Sequence, residues 1–86
     1  KLNVLTWRSV SVNFIDNVFS NCTNLEELTC SSTEDSIDDV VAGLWNKLPN
    51  ITHLDLLGWK MSEANAMEIK EKCQTLVLFN CNHKHY

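Results

Sequence analysis

The stretch C-T-N-L-E-E-L-T-C, residues 22–30, contains a spacing that returns along the chain. Counted from Leu25 it reads L-x-x-L-x-C, and the same frame fits stretches that start at residues 2, 51 and 76. The four starts are therefore separated by 23, 26 and 25 residues. The position three residues before a start also repeats, as Cys22, Leu48 and Cys73. A fixed period of this length predicts stacked units that bury their apolar faces against one another.

Each unit is predicted to contain one strand followed by one helix. The strands are expected at residues 2–7, 25–30, 51–56 and 76–81, where the frame places the inward side chains. Apolar residues at three-and-four spacing predict helices within 9–21, 36–48 and 62–73. Pro49 is expected to end the second of them, which includes Gly43. The N-cap candidates are Ser11 or Asn13, Ser36 and Ser62. The polar tail 82–86 is predicted to follow the last strand without a further helix.

The period and its anchors resemble the leucine-rich repeat. We therefore expect an α/β leucine-rich-repeat solenoid of about three and a half βα repeats. Residues 1–86 would form one domain, with a parallel concave sheet and helices on the convex side. Because no polar capping segment precedes Leu2, we also expect a piece of a longer repeat array.

A cysteine three residues before the first leucine, as at Cys22, resembles the cysteine-containing repeats of F-box/leucine-rich-repeat proteins. That resemblance implies the substrate-recognition repeats of a ubiquitin-ligase receptor, which binds proteins and is not an enzyme. Such a receptor holds its ligase adaptor through an F-box, a segment that residues 1–86 do not contain. The chain departs from the family at four positions where a second Cys or an Asn is usual: Val10, Thr33, Trp59 and Lys84.

Two other functions stay open at this point. A receptor-type extracellular repeat domain would carry glycans at the sequons of Asn21 and Asn50, although one or two such sequons are expected by chance. A scaffold protein with no link to a ligase would show the same repeats. In all three cases the partner would be another protein.

Composition argues against several further classes of protein. The net charge of −4 and the pI near 5.1 argue against a nucleic-acid-binding protein, which would need clustered Lys and Arg. No apolar run approaches the roughly 18 residues of a membrane span. His83 and His85 could supply two metal ligands but no evident third, so no metal is predicted. We predict neither a cofactor nor catalysis, because no nucleophile or oxyanion-hole motif is present.

The four cysteines are predicted to be reduced thiols in the core. Cys22 and Cys73 are equivalent positions two repeats apart, and the same holds for Cys30 and Cys81. Equivalent positions two strands apart lie about 10 Å from one another, whereas disulfide Cα atoms approach within roughly 7 Å. A bond from Cys22 to Cys30, or from Cys73 to Cys81, stays open. Reduced thiols indicate a cytoplasmic or nuclear protein.

The three tryptophans are better explained by packing than by binding. Trp7 is an inward anchor and Trp45 lies on a helix stripe, so both are expected in the core. Trp59 follows a glycine at the end of a strand, and for it both a core and a rim position stay open.

Side chains that alternate with the inward anchors are expected on the concave face. An acidic pair, Glu27 and Asp55, is predicted on adjacent strands, and an apolar pair, Leu57 and Leu78, on the next two. A polypeptide with a basic residue beside an apolar one would suit this face. The alternative is that the face is only solvated and recognition lies in other repeats. The candidate partner-binding residues are Glu27, Thr29, His53, Asp55, Leu57, Leu78 and Asn80.

Overall fold

Within the part of the chain that the structure describes, five strands form one sheet in chain order, and helices lie between the first four strands. The computed structural model describes residues 4–8, 10–31, 36–82 and 84–86, with the backbone alone at Leu57. The elements are β1 (Val4–Trp7), α1 (Val12–Asn21), β2 (Glu27–Ser31), α2 (Leu44–Lys47), β3 (His53–Leu57), α3 (Glu63–Lys72), β4 (Leu78–Cys81) and β5 (Lys84–His85). Strands β1 to β4 are parallel, and β5 pairs with β4 in the antiparallel sense. The predicted α/β class and parallel sheet are therefore confirmed.

One face of the sheet and the apolar sides of the helices share a single core. The predicted inward positions of β2, β3 and β4 are buried, as are Ile15 and Phe19 of α1 and Ile69 of α3. In β1, Leu5 and Trp7 are half-buried, and Leu2 lies outside the described residues. The buried strand positions are Leu28, Cys30, Leu54, Leu56, Phe79 and Cys81.

The three helices end in the same way. In each, the amide of the C-cap residue donates to the carbonyl four residues earlier, over 2.8 to 2.9 Å. The carbonyl of the same residue then accepts from the amide three residues later, over 3.0 to 3.2 Å. The C-cap residues are Cys22, Leu48 and Cys73, the three positions that the sequence frame aligns. The frame thus corresponds to a local geometry that occurs three times.

The entry into the strands is also repeated. The Glu26 carbonyl accepts from the amides of Thr52 and His53, at 2.7 and 3.1 Å. One strand further on, the Thr52 carbonyl accepts from Val77 and Leu78, again at 2.7 and 3.1 Å. Because each carbonyl holds two consecutive amides of the next strand, it fixes where that strand begins relative to its neighbour.

The first and third helices begin where the sequence predicts. Ser11 caps α1 by accepting from the Phe14 amide, and Ser62 caps α3 by accepting from the Asn65 amide, both at 3.2 Å. Such caps satisfy amides that have no partner inside the helix. Within the described ranges, no helix is long and apolar enough to cross a membrane.

The prediction of a long second helix is wrong. Only Leu44–Lys47 is helical, because Gly43 has a left-handed φ of 69° that ends any helix approaching from its N-terminal side. Ser36 instead forms a parallel bridge with Lys60, and the Ile37 amide donates to the Lys60 carbonyl at 2.9 Å. The apolar pattern still predicted burial correctly, since Ile37, Val40, Val41, Leu44 and Leu48 are all buried.

An acidic side chain from the segment that was expected to be helical caps the neighbouring helix instead. Asp38 Oδ1 accepts from the Ser62 amide at 2.8 Å and from Asn65 Nδ2 at 2.9 Å. The hydrogen bond from the Ser62 amide is the main reason that the pKa of Asp38 lies below its ordinary value. The segment after β2 is thus tied to the start of α3 and cannot follow its own helical pattern.

The tail was predicted as a polar extension, yet it forms a fifth strand. Asn82 adopts a left-handed φ of 52°, which Asn tolerates better than most residues, and this turns the chain back. Asn82 Oδ1 accepts from the Met61 amide at 2.7 Å, and its Nδ2 donates to the Met61 carbonyl at 2.8 Å. Asn82 is therefore held by the preceding strand–helix connection, and Lys84–His85 pair with β4.

Trp59, for which both positions were open, lies in the core, whereas Trp7 and Trp45 were expected in the core and only pack against it. Trp59 is fully buried. Trp7 is half-buried and meets the Phe14 ring edge-on, with 4.8 Å between centroids. Trp45 is half-buried, and the Lys72 ammonium lies 4.8 Å from its ring centroid.

Candidate functional site

The sheet face opposite the core, called the open face below, presents two rows of aligned side chains. Residues paired in register lie side by side, since neighbouring strands are about 4.8 Å apart. The first row runs Val4, Glu27, His53 and Leu78. The second row runs Thr6, Thr29, Asp55, Asn80 and His85. Six of the seven predicted partner-binding residues therefore stand in two neighbouring rows.

The acidic pair is brought together as predicted, on a diagonal. Glu27 lies opposite His53, and Asp55 lies two residues further along β3, opposite Thr29. A diagonal neighbour on one sheet face is about 7 to 8 Å away, within reach of a long side chain of a partner. Glu27 is exposed and Asp55 is half-buried, so the two carboxylates present negative charge at different depths.

The predicted apolar pair lies on adjacent strands, as expected, but at different positions along them. Leu78 is paired with His53, while Leu57 is paired with Ser31 four residues further along β3. Four residues of strand span about 13 Å, so the two leucine positions are well apart despite lying on adjacent strands. The side chain of Leu57 lies outside the described residues. Leu78 is 37% exposed and stands at the start of β4 beside His53.

The imidazole of His53 is held by its neighbour in sequence. Thr52 Oγ1 lies 2.8 Å from His53 Nδ1 and 3.0 Å from the Glu26 carbonyl. These contacts orient the ring through Nδ1. Thr52 does not contact the other ring nitrogen, Nε2. His53 thus separates the acidic Glu27 from the apolar Leu78 within the first row.

The second row contains two acceptor atoms without donors. Asp55 Oδ1 and Asn80 Oδ1 are each buried and make no hydrogen bond in the structure. The two residues are register partners on β3 and β4. Buried polar atoms normally have a partner, and leaving one unpaired costs about 1 to 3 kcal/mol. The sequence alone could not predict that these two oxygens lack a donor.

No described ion pair involves the open-face carboxylates. The two ion pairs among the described residues are Lys72 with Glu68, at 3.6 Å, and Lys84 with Glu63, at 3.7 Å. Neither pair includes Glu27 or Asp55. Negative charge on this part of the face is therefore not balanced by a described lysine or arginine.

The other sequence candidates do not form a site. Among the described residues no group of three or more metal-ligating side chains comes together. His83 lies outside the described part of the chain, and His85 is an exposed member of the second row. The strand β5, which adds His85 to the open face, had no clear sequence signal because Asn82-His83 is not a strong hairpin dipeptide.

The four cysteines are free thiols, and Cys30, Cys73 and Cys81 are buried as predicted, whereas Cys22 is half-buried. Burial raises the pKa of Cys30, Cys73 and Cys81, and that of Cys81 reaches about 11. Such thiols stay protonated at neutral pH and are poor nucleophiles. The Trp59 indole partly offsets the rise for Cys30, although Trp59 Nε1 makes no hydrogen bond of normal geometry.

A small groove lies on the opposite side of the molecule, where α2 and α3 end. Its volume is about 250 Å³, and the Lys72 ammonium sits against the Trp45 ring within it. It is lined by Trp45, Leu48, Pro49, Lys72, Cys73, Gln74 and Thr75. Since Lys72 already covers the Trp45 ring, the groove leaves less free surface for a partner than the open face of the sheet does.

Comparison with known proteins adds no relative. No protein-family model, no curated protein and no solved structure matches this chain.

Proposed function

We propose that this chain is a protein-interaction module of the leucine-rich-repeat type, which binds a polypeptide across the open face of its sheet. The observation that carries the proposal is the pair of aligned side-chain rows, in which polar groups from four parallel strands stand side by side without described ion partners. Extended surfaces of this kind suit protein partners better than small molecules, which favour concave apolar cavities.

The repeat interpretation draws support from geometry that recurs once per unit. The same helix end occurs at Cys22, Leu48 and Cys73, and the Glu26 and Thr52 carbonyls hold successive strands in the same way. A solenoid of about three and a half βα repeats, with the open face concave, is the arrangement that stacked units of this kind would form. The fifth strand departs from this repeat, because it runs antiparallel to β4.

Within this class, the substrate-recognition repeats of an F-box-type ubiquitin-ligase receptor are the leading candidate. The support is the cysteine at two of the three helix ends, Cys22 and Cys73, which matches the cysteine-containing repeat. Such a receptor would work in the cytoplasm or nucleus, without cofactor or catalysis, and would reach its ligase adaptor through an F-box elsewhere in the protein.

The extracellular alternative makes different demands on the same residues. It requires glycans at the sequons of Asn21 or Asn50, both exposed, together with oxidised cysteines. Mass spectrometry of the protein purified from its own cells distinguishes the two, because a ligase receptor would show unmodified asparagines and four free thiols. A scaffold protein would match the receptor in this test but would not associate with a ligase adaptor.

The proposed function is tested by reversing charge on the open face. The double variant Glu27→Lys, Asp55→Lys is compared with Asp39→Lys, Glu71→Lys, which changes one exposed Asp and one exposed Glu outside the two rows. Proximity labelling in cells, with the variants in the full-length protein, measures which neighbours are lost. We expect partners to drop at least tenfold with the open-face variant and to persist with the control.

Equal labelling by both double variants would contradict the proposal. Circular dichroism and thermal unfolding of each variant establish that it is folded before the labelling is interpreted. Co-labelling of a cullin-type ligase adaptor by the wild-type protein would support the ligase receptor, and its absence together with retained partners would favour the scaffold.

A further inference from the structure

We propose that the open face seats an arginine side chain of the partner, with the guanidinium hydrogen-bonded to Asp55 and Asn80. This inference rests on the proposed function and names the chemistry of the residue that the module recognises. Its starting point is that two side-chain oxygens, side by side on β3 and β4, have no donor.

A guanidinium supplies what these two atoms lack. It carries five N–H donors in a planar fork, and it cannot act as an acceptor, so every hydrogen bond it makes here runs towards an oxygen. Neighbouring strands place the two side chains about 4.8 Å apart, a separation that one planar fork can span. A lysine ammonium presents its donors from a single point and would fit one oxygen better than both.

The charge and the apolar surface around the pair point to the same partner residue. Asp55 and the exposed Glu27 supply negative charge that no described ion pair balances. Leu78, which is 37% exposed, lies one row away and offers an apolar surface for the methylene stem of an arginine. A neutral or acidic side chain would leave the carboxylates unpaired.

Both oxygens are turned away from solvent, so the Asp55 and Asn80 side chains must both rotate before a donor can reach them. Charge-assisted hydrogen bonds to a carboxylate are about twice as strong as neutral ones and offset the rotation. A competing arrangement is internal, because turning the Asn80 amide by 180° exchanges its oxygen for an NH2 donor facing Asp55. The experiment below separates these two arrangements.

The test is an NMR titration of the 15N-labelled chain with three blocked amino acids: N-acetyl-arginine amide, N-acetyl-lysine amide and N-acetyl-citrulline amide. Citrulline has the shape of arginine without its charge. A ligand of this size is expected to bind with a Kd on the order of 1 mM. We expect the amides of Thr29, Asp55 and Asn80 to shift with arginine, several-fold less with lysine and not with citrulline.

Two substitutions decide the arrangement. Asp55→Asn should weaken arginine binding at least tenfold, whereas Asp39→Asn, outside the two rows, should leave it unchanged. Asn80→Asp should strengthen arginine binding, because it adds a second carboxylate facing the guanidinium. If Asn80 instead donates to Asp55 internally, the wild-type chain would show no arginine-specific shift, which would overturn the proposal.

The two proposals can fail separately. If arginine shifts no amide in either row while Glu27→Lys, Asp55→Lys still loses its partners, the arginine seat is wrong and the interaction module stands. If arginine binds at Asp55 but the charge reversal leaves every partner in place, the proposed function of the open face is wrong.

Discussion

The two ends of the sheet bury the same kinds of side chain to different extents. At the C-terminal end, Phe79 and Cys81 of β4 are 3% and 1% exposed. At the edge formed by β1, the equivalent Leu5 and Trp7 are only half-buried. Because each strand is covered by its neighbours, a side chain is fully buried only where the chain supplies a strand or a side chain on both sides.

The C-terminal end owes its burial to the last few residues. The Tyr86 ring lies 5.4 Å from that of Phe79, and the Tyr86 amide donates to the Phe79 carbonyl at 2.7 Å. The Tyr86 hydroxyl donates to Glu63 Oε2 at 3.0 Å and accepts from Asn82 Nδ2 at 3.2 Å. Lys70 Nζ also donates to the Tyr86 carbonyl. These contacts join β4, β5 and α3 into one closed end.

The other end has fewer such contacts among the described residues. Phe14, 37% exposed, meets Trp7 edge-on, and Val4 is 54% exposed. Cys22 and Cys73 occupy equivalent helix ends, yet Cys22 is half-buried and Cys73 is buried. Position along the sheet, rather than residue type, therefore sets the burial of equivalent residues.

The largest effect on stability is expected from truncating a leucine in the middle of the sheet, compared with truncating a leucine in its edge strand β1. Leu54 and Leu5 occupy the same row of the core face, and Leu54 is fully buried. Leu54→Ala should lower the free energy of unfolding by about 3 to 4 kcal/mol, and Leu5→Ala by about 1 to 2 kcal/mol. Urea unfolding followed by circular dichroism measures both. Equal losses would show that the middle and the edge of the sheet are packed alike.

A second effect concerns pH at the closed end. The pKa of Cys81 is raised from 9.0 to about 11, chiefly by burial and further by the nearby Glu63 and Asp38. The unfolded chain therefore releases this proton near pH 9 while the folded chain keeps it, so the free energy of unfolding falls as pH rises from 9 to about 11. At about 1.4 kcal/mol per pKa unit, the loss from Cys81 is on the order of 2 to 3 kcal/mol.

The pH effect is measured by urea unfolding at pH 8, 9, 10 and 11. Cys81→Ala should flatten the fall relative to the wild-type chain, and the difference between the two chains isolates the contribution of the Cys81 thiol. A fall of the same size in Cys81→Ala would mean that the thiol is not protected by the closed end.

The smallest effect on stability is expected from removing the hydroxyl oxygen of Tyr86. Tyr86→Phe keeps the ring on Phe79 but removes the hydroxyl that joins Glu63 and Asn82. Because these groups remain partly open to water, the loss should be about 1 kcal/mol. Tyr86→Ala, which also removes the ring, should cost more. If both variants cost the same in thermal unfolding, the ring contributes nothing to the closed end.

Much of the fold could be predicted because the period marks residues that must be buried. Leu28, Leu54 and Phe79 were identified as inward positions from spacing alone, and Ser11 and Ser62 cap helices where expected. The second helix could not be predicted, since its pattern is apolar at helical spacing but the left-handed Gly43 interrupts it. Ser36 and Ile37 are held in an extended form by hydrogen bonds with Lys60, which is distant in sequence.

The candidate site, like the fold, could be predicted only in part. Alternation along the strands identified Glu27, His53 and Asp55 as open-face residues, and their partner-binding role stays a prediction. Leu57 and Leu78 lie on adjacent strands as predicted, but four residues of register separate them, so they do not form one apolar patch. The unpartnered oxygens of Asp55 and Asn80 depend on side-chain torsions, which no pattern of residue types encodes.

The hydrogen bonds that tie each strand to the next also bear on how fast the chain folds. Thr52 Oγ1 donates to the Glu26 carbonyl across 26 residues, and Thr75 Oγ1 donates to the Ile51 carbonyl across 24. Closing loops of nearly equal length costs nearly equal entropy, since the cost changes only slowly with length. The pairings of β2 with β3 and of β3 with β4 therefore carry similar loop-closure costs, and chain entropy favours neither as the first to form.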